Sequence, residues 1–174
     1  DEVPVTADRH AHNWPNINGN TMFYDSKQQG TWDMYAYNLS NGTEYPLVVA
    51  SGAQSQPIVS GDMVVWKDMR SGQWDVRGYN LTSRSEVTLT NHSTPVVRAD
   101  PAVYVNDTIK VAAWVENRGV TFDIYGRNFS SGQNLTLYAG AGQQRAPFLF
   151  GDILAWQDNR DGWNSGDIYY KNIT

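Results

Sequence analysis

The chain has 174 residues, 19.5 kDa and a formal net charge of −5, with 40% hydrophobic and 13% aromatic residues. That balance supplies material for a core and argues against disorder, a nucleic-acid surface and an anionic-membrane binder. No apolar run nears the roughly 20 residues that span a bilayer, and the absence of cysteine excludes disulfides, thiolate metal sites and a thiol nucleophile. Asp outnumbers Glu, which occurs only at Glu2, Glu44, Glu86 and Glu116. Gly, Asn, Ser, Thr, Tyr and Trp are abundant while good helix formers are scarce, which favours strands and tight turns. An initial Asp in place of Met fits a processed chain whose signal peptide has been removed, or an artificial start.

In chain order, Glu2, Val3, Pro4, Val5 and Thr6 come first and read as a short strand within a leading segment, residues 1–12. Residues 13–50 then carry Pro15, Gly19, Tyr24, Gly30, Trp32, Asp33 and the run Tyr37 to Leu39, followed by the turn Ser40 to Thr43 and a strand over Glu44 to Val48. Forty-two positions on, residues 55–92 repeat the pattern with Pro57, Gly61, Trp66, Gly72, Trp74, Asp75, Tyr79 to Leu81 and the strand Glu86 to Thr90. A third copy, residues 99–140, has Pro101, Trp114, Asp123 to Tyr125, Asn128 and the strand Asn134 to Tyr138. The fourth, residues 145–174, has Pro147, Gly151, Trp156 and Asp167 to Tyr169, and reaches Thr174 before a fourth strand can form.

Four short strands in about 42 residues is the period of a β-propeller blade. The predicted fold is therefore all-β: a single domain over residues 1–174, a four-bladed β-propeller of four-stranded antiparallel blades. Glu2 to Thr6 matches Glu86 to Thr90, and the strand precedes Pro15 by the same nine residues that separate Val48 from Pro57. The N-terminal strand is expected to complete the last blade, because three strands alone would leave an unpaired edge. It can do so within its own chain, the simpler route given the spacing, or in a neighbouring copy.

The run Asp68 to Val76, with Arg70, Gly72, Trp74 and Asp75, followed by Tyr79 to Thr82, resembles the TolB-like propeller repeat. The resemblance covers essentially the whole chain. Variants of this repeat recur in surface proteins of archaea and bacteria, and the family includes envelope scaffolds, binding modules and regulatory domains of peptidases. Four blades departs from the six or seven usual there, so the resemblance implies a fold and no particular partner.

Eight Asn-x-Ser/Thr sequons stand at Asn38, Asn41, Asn80, Asn91, Asn106, Asn128, Asn134 and Asn172. Chance pairing of the Asn with the Ser and Thr present gives about two. Asn38, Asn80, Asn128 and Asn172 share one repeat position, where turn chemistry alone can select Asn; the other four still exceed chance. N-glycosylation, and with it a secreted or cell-surface location, is the expectation.

The loop between strands two and three reads Ser26, Asp68, Glu116 and Asp158 at its first position and Gln28, Arg70, Arg118 and Arg160 two residues later. In the second and third repeats an Arg–carboxylate pair with Asx-type bonding is expected to fix the turn. The last of these loops is two residues longer, and Asp158, Asp161, Asn164 and Asp167 form a candidate calcium site on a turning backbone. His10 and His12 have no third ligand adjacent and read as a surface pair. Tyr24, Trp66, Trp114 and Trp156 read as core between blades, and Trp32, Trp74 and Phe122 as packing. His92 has no Ser or Asp partner for a triad.

No chemistry is left over once the repeats are assigned, so the chain is expected to be no enzyme. The expected function is a structural subunit of an extracellular filament or surface layer, self-associating, N-glycosylated and calcium-stabilised. The alternative is a monomeric secreted propeller that binds carbohydrate or a protein.

Overall fold

The computed structural model describes residues 2–91, 98–162 and 166–174. Among these, fifteen strands form four antiparallel sheets, and no helix occurs. Sheet one comprises β1 (His12–Asn18), β2 (Thr21–Ser26), β3 (Asp33–Asn38) and β4 (Thr43–Val48). Sheet two comprises β5 (Gln54–Ser60), β6 (Met63–Asp68), β7 (Asp75–Asn80) and β8 (Ser85–Thr88). Sheet three comprises β9 (Arg98–Val105), β10 (Lys110–Asn117), β11 (Phe122–Asn128) and β12 (Asn134–Tyr138). Sheet four has β13 (Gln144–Phe150), β14 (Ile153–Asp158) and β15 (Asp167–Asn172). Strand order within each follows the sequence, and the sheets coincide with the four repeats.

The first hairpin of sheets one, two and four turns on two residues, beginning with Gly19, Gly61 or Gly151 at φ between +55° and +60°. Positive φ is what a tight hairpin turn requires and what glycine supplies. A second device is less expected. Trp14, Gln56, Asp100 and Ala146 all have φ between +47° and +63°, and each immediately precedes the proline of its repeat. A break in register accompanies each of them: between Asn13 and Asn16, between Ser55 and Ile58, opposite Asp100, and between Arg145 and Phe148. Each first strand is thus bent by a bulge at the same place, with a left-handed residue held there by its neighbours.

The first strands lie side by side: β1 touches β5, β5 touches β9, and β9 touches β13. Side chains staple them. Asn18 Nδ2 donates to Gly61 O at 2.8 Å, Val59 N donates to Asn16 Oδ1 at 3.1 Å, Val105 N to Ser60 Oγ at 3.0 Å and Ala146 N to Asp100 Oδ2 at 3.2 Å. Between consecutive sheets lies one apolar core each. Sheets one and two share Phe23, Met34, Ala36, Val48, Val64 and Trp66. Sheets two and three share Met63, Val65, Val76, Leu89, Ala112 and Trp114, and sheets three and four share Ala113, Ile124, Leu137, Leu154 and Trp156. Each interface receives one indole from the later sheet, as expected; truncating such a ring costs about 3–5 kcal/mol.

Two expectations are corrected. No closed sheet is formed: sheet four has three strands, Glu2 to Thr6 are in no strand, and sheets four and one make no substantial contact. The same residues instead lie over sheet one, where Val5 and Thr6 share a cavity of about 180 Å³ with His12, Met22 and Tyr24. Tyr24, expected between two blades, is buried beneath this segment. The physical reason is that sheet four does not lie beside sheet one, so the edge of β15 is not next to the segment that leads into β1.

Candidate functional site

The loop after each second strand is built around one buried carboxylate. Asp68 has no exposed surface and accepts the Trp66 Nε1–H at 2.9 Å, the Arg70 backbone N–H at 2.9 Å, and Arg70 Nε and Nη2 at 2.9 and 2.8 Å. Glu116 accepts Trp114 Nε1 and Arg118 Nε, both at 2.8 Å. Asp158 accepts Trp156 Nε1 at 3.1 Å, Gln144 Nε2 at 3.2 Å, the Arg160 backbone N–H at 2.9 Å and Arg160 Nη2 at 2.5 Å. Burial by itself would raise the Asp158 pKa, but these donors outweigh it and hold the carboxyl at about 2. Sheet one substitutes Tyr24, Ser26 and Gln28, where the Gln28 N–H reaches Ser26 Oγ at 3.3 Å and the Gln28 amide bonds Glu44. The expected Arg–carboxylate pair is therefore present in sheets two and three, sheet four has one as well, and in each it also anchors the core indole.

The Asp that opens the third strand has a separate task. Asp33 Oδ1 accepts the Ala50 N–H at 3.3 Å, Asp75 Oδ1 accepts Thr90 Oγ1–H at 2.9 Å, and Asp123 Oδ1 accepts the Gly140 N–H at 3.3 Å. Each bond ties the sheet to the chain leaving its fourth strand. Trp32, Trp74 and Phe122 sit under cations, namely Lys27, Lys67 and Arg145, at 4.9, 4.8 and 5.5 Å from the ring centroids.

Of the candidate calcium loop, Asp158, Asp161 and Asp167 lie within the described residues. Asp158 is buried and committed to Trp156, Arg160 and Gln144, so its carboxylate belongs to the core network. Asp161 and Asp167 are exposed, with Tyr169 O–H reaching Asp161 at 3.4 Å, and Asn164 lies outside the described residues. Among the described residues no three His, Asp or Glu side chains cluster as a metal site. His10 and His12 are joined by Asp8: His12 Nε2 lies 2.8 Å from Asp8 Oδ1 and His10 Nδ1 3.4 Å from Oδ2. The His12 hydrogen bond holds the Asp8 carboxyl at about 2. His92 lies outside the described residues.

The sequons divide by geometry. Asn38, Asn41, Asn80, Asn106 and Asn128 each accept a backbone N–H two residues on, at 2.8–3.1 Å, which is Asx-turn chemistry. Asn80 also donates its Nδ2, the atom a glycan would occupy, to Asp62 at 2.9 Å. Asn41, Asn91, Asn106, Asn134 and Asn172 are exposed.

Sequence reasoning missed the outer face of sheet four. Phe148, Phe150, Ile168 and Tyr170 are 66–76% exposed, and Ile153 is 40% exposed. The pairings Phe148 with Ala155, Phe150 with Ile153 and Tyr170 with Ala155 place them on one face. Ile168 stands where Met34, Val76 and Ile124 stand in the other repeats, and Ile153 where Met63 and Val111 stand; all five of those are buried. The repeat offset itself carried the signal: these are the positions that are buried and apolar in the earlier repeats. A groove of about 520 Å³ lies between sheets one and two, lined by Asn18, Phe23, Tyr45, Tyr79 and Arg84.

Repeated antiparallel sheets side by side, with sheets two, three and four each handing one indole to the sheet before, are those of the β-propeller class. More particularly, the fold is a TolB-like propeller fold. TolB from Acinetobacter baumannii superposes with a TM-score of 0.70 at 19% identity, over 97% of this chain and 43% of that one. A puromycin-hydrolysing peptidase of Mycobacterium tuberculosis gives 0.66 at 16% identity, over 95% and 29% of the two chains. An oligogalacturonate lyase solved with manganese gives 0.56 at 12% identity, over 89% and 49%. This chain thus spans less than half the length of each of these proteins. No protein-family model matches the sequence, and a search of curated proteins found no match. The exclusion of enzymatic activity is corrected by these comparisons: a peptidase and a lyase have the same architecture, so lack of a triad in the repeats is no ground for it.

Proposed function

We propose that this chain is a structural subunit of an extracellular or cell-surface assembly, a filament or a layer, built by association with further copies of itself and carrying N-linked glycans. The observation that carries the reading is the apolar face of sheet four, with Phe148, Phe150, Ile168 and Tyr170 in the open. An apolar face of on the order of 600 Å² lies at the top of the range that single chains leave in water, where such patches often serve association. The excess of sequons supports the extracellular location. Electron microscopy of native material tests the assembly, which requires filaments or lattices; isolated single particles overturn it. Peptide mapping tests the glycans: occupancy is expected at the exposed Asn41, Asn91, Asn106, Asn134 and Asn172, and low occupancy at Asn80, whose Nδ2 is held by Asp62. Finding every sequon bare removes the surface-glycoprotein part.

A second reading is favoured by the groove between sheets one and two. Aromatic rings of Phe23, Tyr45 and Tyr79 beside Asn18 and Arg84 suit a carbohydrate or a peptide. Tyr79→Ala should abolish glycan-array or peptide binding if this reading holds, and a chain that binds nothing on such arrays discards it.

A further inference from the structure

We propose that the groove between sheets one and two binds an oligosaccharide that carries a carboxylate, a uronate, with Arg84 as the residue that recognises the charge. This rests on the groove as a ligand site, the second reading above, and names the chemical class of its ligand.

Arg84 stands where the backbone disfavours an arginine. The turn joining the third and fourth strands holds one residue in the left-handed region: Gly42 at φ +69° in sheet one, Gly132 at +71° in sheet three, and Arg84 at +54° in sheet two. All three lie five residues after the Tyr37, Tyr79 and Arg127 position, so they are one repeat position. Glycine takes that conformation freely, whereas a residue with a Cβ is strained there. The fold gives the arginine no task. It is exposed, and its guanidinium makes no hydrogen bond or ion pair with any described residue. Arg70, Arg118 and Arg160, by contrast, each pair with a carboxylate of their own loop. A strained residue without a structural partner points to a functional one.

The groove beside it supplies the rest of a site. Its volume of about 520 Å³ falls inside the roughly 300–1,000 Å³ usual for small-molecule sites. Phe23, 1% exposed, lines it from within the core, and Leu47, Tyr79 and Leu81 pack against that same core, so its shape is set in advance. Tyr45, 41% exposed, and Tyr79 offer aromatic surface and hydroxyls. Asn18 spends Nδ2 on Gly61 O at 2.8 Å, which leaves Oδ1 to accept a hydrogen bond from a ligand hydroxyl. No Asp or Glu lines the groove, so Arg84 is its one formal charge, positive on a chain of net charge −5. Rings call for a flat, partly apolar face, Asn18 and Thr21 for hydroxyls, and a guanidinium fork for a carboxylate that it can hold bidentately. A uronate ring has all three.

Other anions fit less well. An extended peptide would add to the outer edge of sheet one, strand β4, but Pro46 in that edge has no N–H to offer. A nucleic acid draws its affinity from several cations, and the groove has one. Nor is the site a by-product of the repeat. Between sheets two and three the positions of Tyr45, Tyr79 and Arg84 hold Val87, Arg127 and Gly132.

The test is calorimetric titration of the full chain with four-sugar oligomers of mannuronate and of glucuronate. Mannotetraose and cellotetraose, which differ from them only in lacking the carboxylates, are the matched neutral probes, and an acidic peptide is a third arm. At least one uronate should bind with a Kd of about 1 mM or tighter, and about tenfold or more tighter than its neutral partner. Arg84→Gly should bring uronate affinity down to the neutral level while the melting temperature stays at or above that of the wild type, because the strained residue has been relieved. Arg84→Lys, which keeps the charge but not the fork, should lie between the two. Uronate and neutral sugars bound equally, or peptide bound in place of both, would overturn the uronate assignment and leave the groove reading standing. Uronate affinity unchanged in Arg84→Gly overturns the role of Arg84. A lower melting temperature in that variant would instead give the arginine a structural task and remove the premise. Binding of no probe at all overturns the assignment and the groove reading together.

Discussion

Replacing Asp68 by Ala tests whether the buried carboxylates are structural. Asp68 and Trp66 are both wholly buried, and the carboxylate accepts the indole N–H, a backbone N–H and two guanidinium donors of Arg70, with Arg77 Nε at 3.9 Å. The alanine variant strands the Trp66 and Arg70 N–H donors in the interior, at about 1–3 kcal/mol for an unsatisfied neutral donor. It also leaves the Arg70 charge with Glu86 alone, 2.9 Å from Nη1. Breaking a buried pair by removing one partner costs about 3–5 kcal/mol, a large share of the 5–15 kcal/mol that holds an ordinary domain together. For a chain of this length the melting temperature should fall by roughly 6–20 °C. Removing Arg70 as well should restore part of that loss, because the orphaned charge goes with it; the double-mutant cycle should show coupling of about 1–3 kcal/mol. Urea unfolding followed by tryptophan fluorescence measures all three variants. An Asp68→Ala protein within about 1 kcal/mol of wild type, or a double variant whose loss is the plain sum of the singles, would refute the structural role.

The Asp158 carboxyl is held at about 2, below its unfolded value of 3.8, so its contribution is complete above about pH 5 and fades as pH falls toward 2. The stability gap between wild type and Asp158→Asn, measured by melts from pH 7 to pH 2, should therefore close on acidification; a gap that persists at pH 2 contradicts the assignment. Asp25 and Asp33 are shifted the other way, upward, mainly by burial, so Asp25→Asn should lose less stability at pH 7 than at pH 3. Gly61→Ala should cost more than Gly19→Ala. Both have φ near +55°, but a Cβ on Gly61 meets Val105 O at 2.9 Å while one on Gly19 meets nothing within 4 Å. Equal melting temperatures for the two variants would show that backbone strain alone sets the cost.

Much of this architecture was legible in the residues. The sequence repeat marked out the four sheets, since a strand's extent is set locally by side-chain alternation and turn residues such as Gly19 and Gly61. Spacing also picked out the Arg70 and Arg118 pairs, because both partners lie two residues apart in one loop. Trp66, Trp114 and Trp156 were readable as core for the same reason: a bulky ring repeated at one position has the same neighbours each time. Only the tertiary structure decided the rest. Asp158 looked available to a cation until Trp156, Gln144 and Arg160 converged on it, and Gln144 comes from a different strand. Glu2 to Thr6 had the sequence of a closing strand, but where a strand pairs depends on which edge lies within reach, and here it rests beside Tyr24. Ile168 and Met34 are interchangeable in sequence terms; one is buried and the other exposed because burial belongs to the neighbour, and the sheet that follows is not written in the residue itself.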